Sequence, residues 1–83
     1  MDNDKIITAR IEDKLEQCER GSYITATGFL NMHEQSLAMR IVKGRSDVKS
    51  FFYGGYDDAE RRIIMFVPDG YADTLEEALE MIS

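Results

Sequence analysis

The sequence predicts an α+β fold, because two amphipathic helical patterns come first, two short runs rich in branched and aromatic residues follow, and a third helical pattern closes the chain. Eighty-three residues allow one small domain. A domain of that size buries only about 60% of the surface its unfolded chain exposes, too little for a deep pocket beside a core, which disfavours an enzyme. A 43% hydrophobic share with four Phe and four Tyr is enough to seed a core, so a disordered chain is excluded.

In KIITARIEDKLEQCERG, Ile7, Ile11, Leu15 and Cys18 recur at spacings of four, four and three with charges between them. This predicts an amphipathic helix that Gly21 stops in the left-handed conformation. GSYITATG reads as a loop between helices. In FLNMHEQSLAMRIVKG, Asn31 is placed to accept from first-turn amides and Glu34 to reach back as its capping-box partner, while Leu37, Ala38, Ile41 and Val42 form the apolar stripe up to Gly44. The period then changes. VKSFFY and IIMFV read as two strands, at about 48–53 and 63–67, and Pro68 with Asp69-Gly70 ends the second. Both faces of IIMFV are apolar, which predicts a strand covered on both sides. Thr74 caps a last short helix with Glu77 as its partner, and Leu75, Ala78, Leu79 and Ile82 give its stripe. The expected core joins Ile7, Ile11, Leu15, Leu37, Ile41, Phe52, Ile64, Phe66 and Leu79, over an antiparallel strand pair.

A single cysteine excludes an intrachain disulfide and a cysteine zinc cluster, and a lone His33 lacks the partners a catalytic metal wants. Cys18 is expected to fill the core and His33 to be a solvated imidazole without a role. A reducing cytosol is the simplest setting for such a chain. No apolar run approaches the ~20 residues a spanning helix needs, and acids stand where a signal peptide carries positive charge. Neither a cofactor nor a membrane partner is expected.

Net charge is −6, spread as −2 over residues 1–20, +2 over 21–56 and −6 over 57–83. The basic excess gathers Arg40, Lys43, Arg45 and Lys49 in the middle, with Arg61 and Arg62 beyond a glycine-containing loop. An ordinary solvated face is the favoured account of such a short cluster over a partner surface.

The stretch FFYGGYDDAERRIIMFVP joins the two strands through a loop too long and too charged for a simple hairpin turn. Gly54-Gly55 with Arg61 and Arg62 could meet phosphate, yet the pattern matches no nucleotide-binding fingerprint. Asp57, Asp58 and Glu60 could hold a metal, but arginines beside them are the nearer partners. Tyr56 to stack and arginines to pair with phosphate would suit RNA. A bulged hairpin braced by Arg–acid pairs explains the same residue types and is favoured by them alone.

FYGGYDDAERRIIMFVP resembles the signature of the YlmH-like S4-domain proteins, in which a GGY-x-x-AERR segment precedes an apolar strand ending in Pro. Gly54, Gly55, Tyr56, Ala59, Glu60, Arg61, Arg62 and Pro68 agree with it. Upstream, Phe29, Leu30, Glu34 and Gln35 are similar to the family's FL-x-x-x-EQ helix start, so the likeness spans about residues 29–68. The resemblance implies a longer protein with an N-terminal helical part (here 1–44), a middle RNA-recognition-like α/β domain (of which 45–83 would be the first portion) and a C-terminal S4 domain that this chain lacks. It implies a ribosome-associated RNA-binding factor in quality control of stalled large subunits, with ribosomal RNA or tRNA on the ribosome as partner and no catalytic set. The candidate RNA contacts are then Tyr56, Arg61, Arg62, Arg45, Lys49 and Lys43, with Gly54, Gly55 and Glu60 shaping the loop. The alternative is a protein-interaction segment that positions the S4 domain and binds no RNA itself. An open sheet edge is expected in either case, inviting self-association.

Overall fold

The computed structural model describes residues 3–45, 47–54 and 60–82. Its elements are α1 (Asn3–Gly21), β1 (Thr25–Ala26), α2 (Met32–Lys43), β2 (Val48–Gly54), β3 (Arg62–Pro68) and α3 (Leu75–Ile82). The expected α+β fold is therefore present, with three helices and a three-stranded antiparallel sheet in the order β1-β3-β2. Strands β2 and β3 pair from Val48↔Pro68 to Gly54↔Arg62, so the two runs read from the sequence form one long ladder.

The segment expected to be a loop supplies the third strand. Thr25 pairs with Phe66 and Ala26 with Met65, which puts β3 in the centre. The ladder then breaks for a specific reason: the Ile64 amide donates to the Thr27 hydroxyl at 2.9 Å instead of to a backbone carbonyl. It resumes where Leu30 and Arg62 exchange backbone hydrogen bonds of 2.8 and 3.0 Å. A second hydroxyl, on Thr25, donates to the Lys14 carbonyl at 2.9 Å and ties this strand to α1.

Alternation along β3 sends its side chains into two separate apolar clusters. Ile64 and Phe66 join Ile11, Leu15 and Cys18 of α1, Ala38 and Val42 of α2, and Leu30 and Val48, with Ile7 and Ile41 packed at the margin. Met65 and Val67 point the other way, against Ala72 and Ala78, with Ile24, Phe51, Leu75 and Leu79 around them. The doubly apolar IIMFV is thus covered by helices on both faces, as its composition requires.

Three details depart from the sequence reading. Phe52 was expected in the core, but it lies on edge strand β2 and is 39% exposed, because the helix layer does not extend fully over that edge. Leu37 is only half-buried and belongs to neither cluster. After α1 the left-handed residue is Ser22, with φ of 53°, and not Gly21. What Gly21 provides is room, since a Cβ there would stand 1.9 Å from the Tyr23 ring. The caps fare better. Asn31 Oδ1 accepts from the Glu34 amide and Glu34 Oε1 accepts from the Asn31 amide, each at 2.8 Å, closing the expected box on α2. Thr74 Oγ1 accepts from the Glu77 amide at 3.2 Å, while the Glu77 carboxylate accepts from the Thr74 hydroxyl at 3.3 Å rather than from its backbone.

Cys18 is fully buried, as expected of a core filler. Burial pushes its thiol up from 9.0 to about 11, with Glu19 and Asp47 adding to the rise and the Thr25 backbone opposing it. The folded chain therefore keeps a proton that the unfolded chain releases near 9.0. Stability should be intact below about pH 9 and fall as the pH climbs toward about 11, by up to about 2 kcal/mol. Urea unfolding across that window checks it, with Cys18→Ala expected to show a shallower decline.

Candidate functional site

Gly54 on one side, and Glu60 with Gln35 on the other, hold the ends of the charged loop. Gly54 closes β2 with φ of 91°, a conformation glycine adopts without cost, and a Cβ there would make only an ordinary 3.6 Å contact with Phe29. Gly54→Ala should therefore cost about 1 kcal/mol through the backbone alone, readable as a shift of the urea midpoint. Gly55, Tyr56 and the Asp57 to Ala59 segment lie outside the described residues. On the far side Glu60 sits at φ of 53°. Its carbonyl accepts from Gln35 Nε2 at 3.0 Å, and the same nitrogen donates to the Leu30 carbonyl at 2.9 Å. The Glu-Gln pair at the start of α2 thus divides its work, Glu34 capping the helix and Gln35 clamping the end of the loop to the strand.

Two of the six candidate contacts are committed elsewhere. Arg45 forms an ion pair with Glu19 that ties the segment after α2 back to α1. Lys49 bonds Asp73 at 2.7 Å, and that bond raises the lysine pKa and lowers the aspartate's. Arg61 stands exposed just before β3. Arg62 takes the position that alternation assigns to the α1–α2 face, the face of Ile64 and Phe66, and its guanidinium lies 5.7 Å from the centroid of the Phe52 ring. A stacked cation of this kind is worth about 0.5–1 kcal/mol at an exposed site.

Phe52 in turn borders a shallow groove of about 390 Å³ between α2 and the sheet edge, lined also by Met32, Gln35, Ser36, Met39, Arg40 and Lys43. Met32, Ser36, Met39, Arg40 and Lys43 share one side of α2, because their spacing follows the helical repeat, and Gln35 sits at its border toward Ala38 and Val42. Of the basic cluster read from the sequence, Arg40 and Lys43 are thus the members that the fold brings to the same groove as Arg62's aromatic partner. No carboxylate is among the described residues lining this groove. A second cavity of about 270 Å³, beside α1, is bordered by Arg10 and Lys14 but also by Asp13 and Glu34, so its charges cancel. Among the described residues no group of three or more metal-ligating side chains is found, and no helix is long and apolar enough to cross a membrane.

Sequence reasoning missed Phe52 and left Arg40 out of the site. Phe52 was legible only once the strand order was known, since its apolar neighbours made it look like core. Arg40 could have been found from Met32, Ser36, Met39 and Lys43, which fall with it on one helical stripe.

No curated protein and no solved structure matches the chain. A family model described as YlmH, N-terminal, matches residues 3–71, from the first turn of α1 to just past the end of β3. That span includes the glycine loop, the Gln35 clamp and the Arg62–Phe52 stack, and the chain belongs to the YlmH N-terminal family.

Proposed function

We propose that this domain contacts RNA through the α2–β2 groove, as part of a ribosome-associated protein that acts in quality control of stalled large ribosomal subunits. One observation carries the reading: in a chain of net charge −6, Arg40 and Lys43 line a groove bordered by the exposed Phe52 ring, and Arg62 stacks on that ring. Such cations offer hydrogen bonds and charge to phosphates, and a ring bordering the groove offers a stacking surface for an unpaired base. Two acids of the acidic final third lie away from the groove. Glu76 and Glu77 stand in the first turn of α3, which covers the other face of the sheet. Family membership supports the ribosomal setting.

The exposed Met32 and Met39 support a second reading, a protein-binding groove with no RNA contact of its own. Binding of a fluorescent single-stranded RNA and of purified large subunits distinguishes them. The double variant Arg40→Ala/Lys43→Ala should weaken both at least ~10-fold under the RNA reading, roughly 1.4 kcal/mol or more in all. Unchanged RNA binding with weakened subunit binding would favour the protein-binding reading.

A further inference from the structure

The outer side of β2 is the longest unpaired strand edge among the described residues, and its chemistry is self-complementary. Arg62 exchanges backbone bonds with Leu30, and Ile64 bonds Thr27, so both turn their backbone groups toward the β1 side. Ile63, Met65 and Val67 then face β2, where their partners are Tyr53, Phe51 and Lys49. By the same alternation, the N–H and C=O groups of Val48, Ser50 and Phe52 point away from the sheet.

We infer that β2 pairs antiparallel with β2 of a second copy, across a two-fold axis at Phe51, to give one continuous six-stranded sheet. In this register Ser50 and Phe52 of one copy face Phe52 and Ser50 of the other as hydrogen-bonded pairs that use the outward groups, and Phe51 faces its own counterpart as a non-hydrogen-bonded pair. Lys49 falls opposite Tyr53, so no like charges stand directly opposed along the strand. Helical layers of the two copies lie on the same side, as they must for the side-chain alternation to persist.

The edge also lacks the usual protection. Strands that must stay solitary carry proline, unpaired charge or a bulge, whereas Val48–Gly54 pairs without interruption with β3 and its only charged residue is the Asp73-bound Lys49. Exposed apolar side chains flank it on both faces: Phe52, Met39 and Met32 at 39, 38 and 60%, and Tyr53 at 41%. A second copy covers this apolar border together with the polar edge, whereas solvent leaves it uncovered. Phe52 serves the groove as well, so the paired form and the RNA-bound form are alternatives for one surface.

The test is sedimentation of the whole chain over a rising concentration series, with two variants. Ser50→Pro removes an outward amide and should weaken association at least ~10-fold while leaving far-UV circular dichroism unchanged, because that amide makes no bond within the sheet. Phe52→Lys leaves the backbone intact and tests the same edge should the proline variant not fold. Phe51→Cys fixes the register: cysteines at a non-hydrogen-bonded pair lie within disulfide reach, at about 4.5 Å between Cα atoms, and buried Cys18 does not compete. Concentration-dependent dimers that both folded variants dissociate, and that Phe51→Cys locks under mild oxidation, are expected. A strict monomer throughout, or a dimer indifferent to changes at positions 50 and 52, overturns the inference.

Discussion

Phe66→Ala is expected to bring this domain close to its unfolding midpoint in water. Phe66 is among the largest of the fully buried side chains, sits on the central strand, and has Thr25 on one side and Ser50 on the other as cross-strand neighbours. Its ring fills the space between the sheet and the α1 residues Ile11, Leu15 and Cys18. Removing it forfeits the transfer free energy of the ring and leaves a cavity under a helix that cannot collapse without breaking its contacts with β1, for a cost of about 3–5 kcal/mol. A domain of this size has total stability near the low end of the usual range of about 5–15 kcal/mol, so that loss consumes most of it. Urea denaturation followed by circular dichroism reads the effect directly. Phe52→Ala, on the neighbouring edge strand, should cost clearly less, about 2 kcal/mol, since the ring is already partly solvated. Equal losses at the two positions would contradict the placement of the core.

Arg62→Ala should separate from Arg45→Ala in kind. Both are arginines of the basic cluster around the glycine loop, but the fold gives them different neighbours. Arg45 is held against Glu19, each about a quarter to a third exposed. Its loss should reduce stability by up to about 1 kcal/mol and leave RNA affinity unchanged. Arg62 is stacked on Phe52 at the groove's margin, so its loss should weaken RNA binding by roughly 1–3 kcal/mol and stability by only about 0.5–1 kcal/mol. Lys49→Ala should likewise leave RNA affinity unchanged, because its ammonium is held by Asp73. Titration of labelled RNA beside urea midpoints for the same three variants gives the comparison. Affinity lost equally by all three would mean diffuse charge attraction and not a site.

Helices and the β2–β3 ladder were legible because their signals are local. Apolar spacing of three and four residues marks α1, α2 and α3, Asn31 and Glu34 announce a cap, and branched and aromatic residues mark the two long strands. The doubly apolar character of Ile63 to Val67 correctly placed β3 between two layers. What escaped was non-local. Thr25 and Ala26 make a strand only because β3 has a free side to receive them, although the branched Ile24, Thr25 and Thr27 carried a faint sign of it. The fate of the cations was equally hidden: Lys43, Arg45 and Lys49 look alike in the sequence, and only tertiary neighbours, a groove for one and a carboxylate for each of the others, tell them apart. The resemblance identified the family, while the partner of Arg62 needed the strand register, which pairs Phe52 with Ile64 two residues on.

The slope of RNA affinity against salt tests the central claim most directly, because each phosphate contact releases counterions and steepens log K against log salt by about 0.7 for a single strand. The chain should bind single-stranded RNA with a slope that reflects several contacts, and Arg40→Ala/Lys43→Ala should flatten it by about 1 to 1.5 while the fold holds. A slope unchanged by that double substitution, at whatever affinity, would contradict RNA contact through this groove.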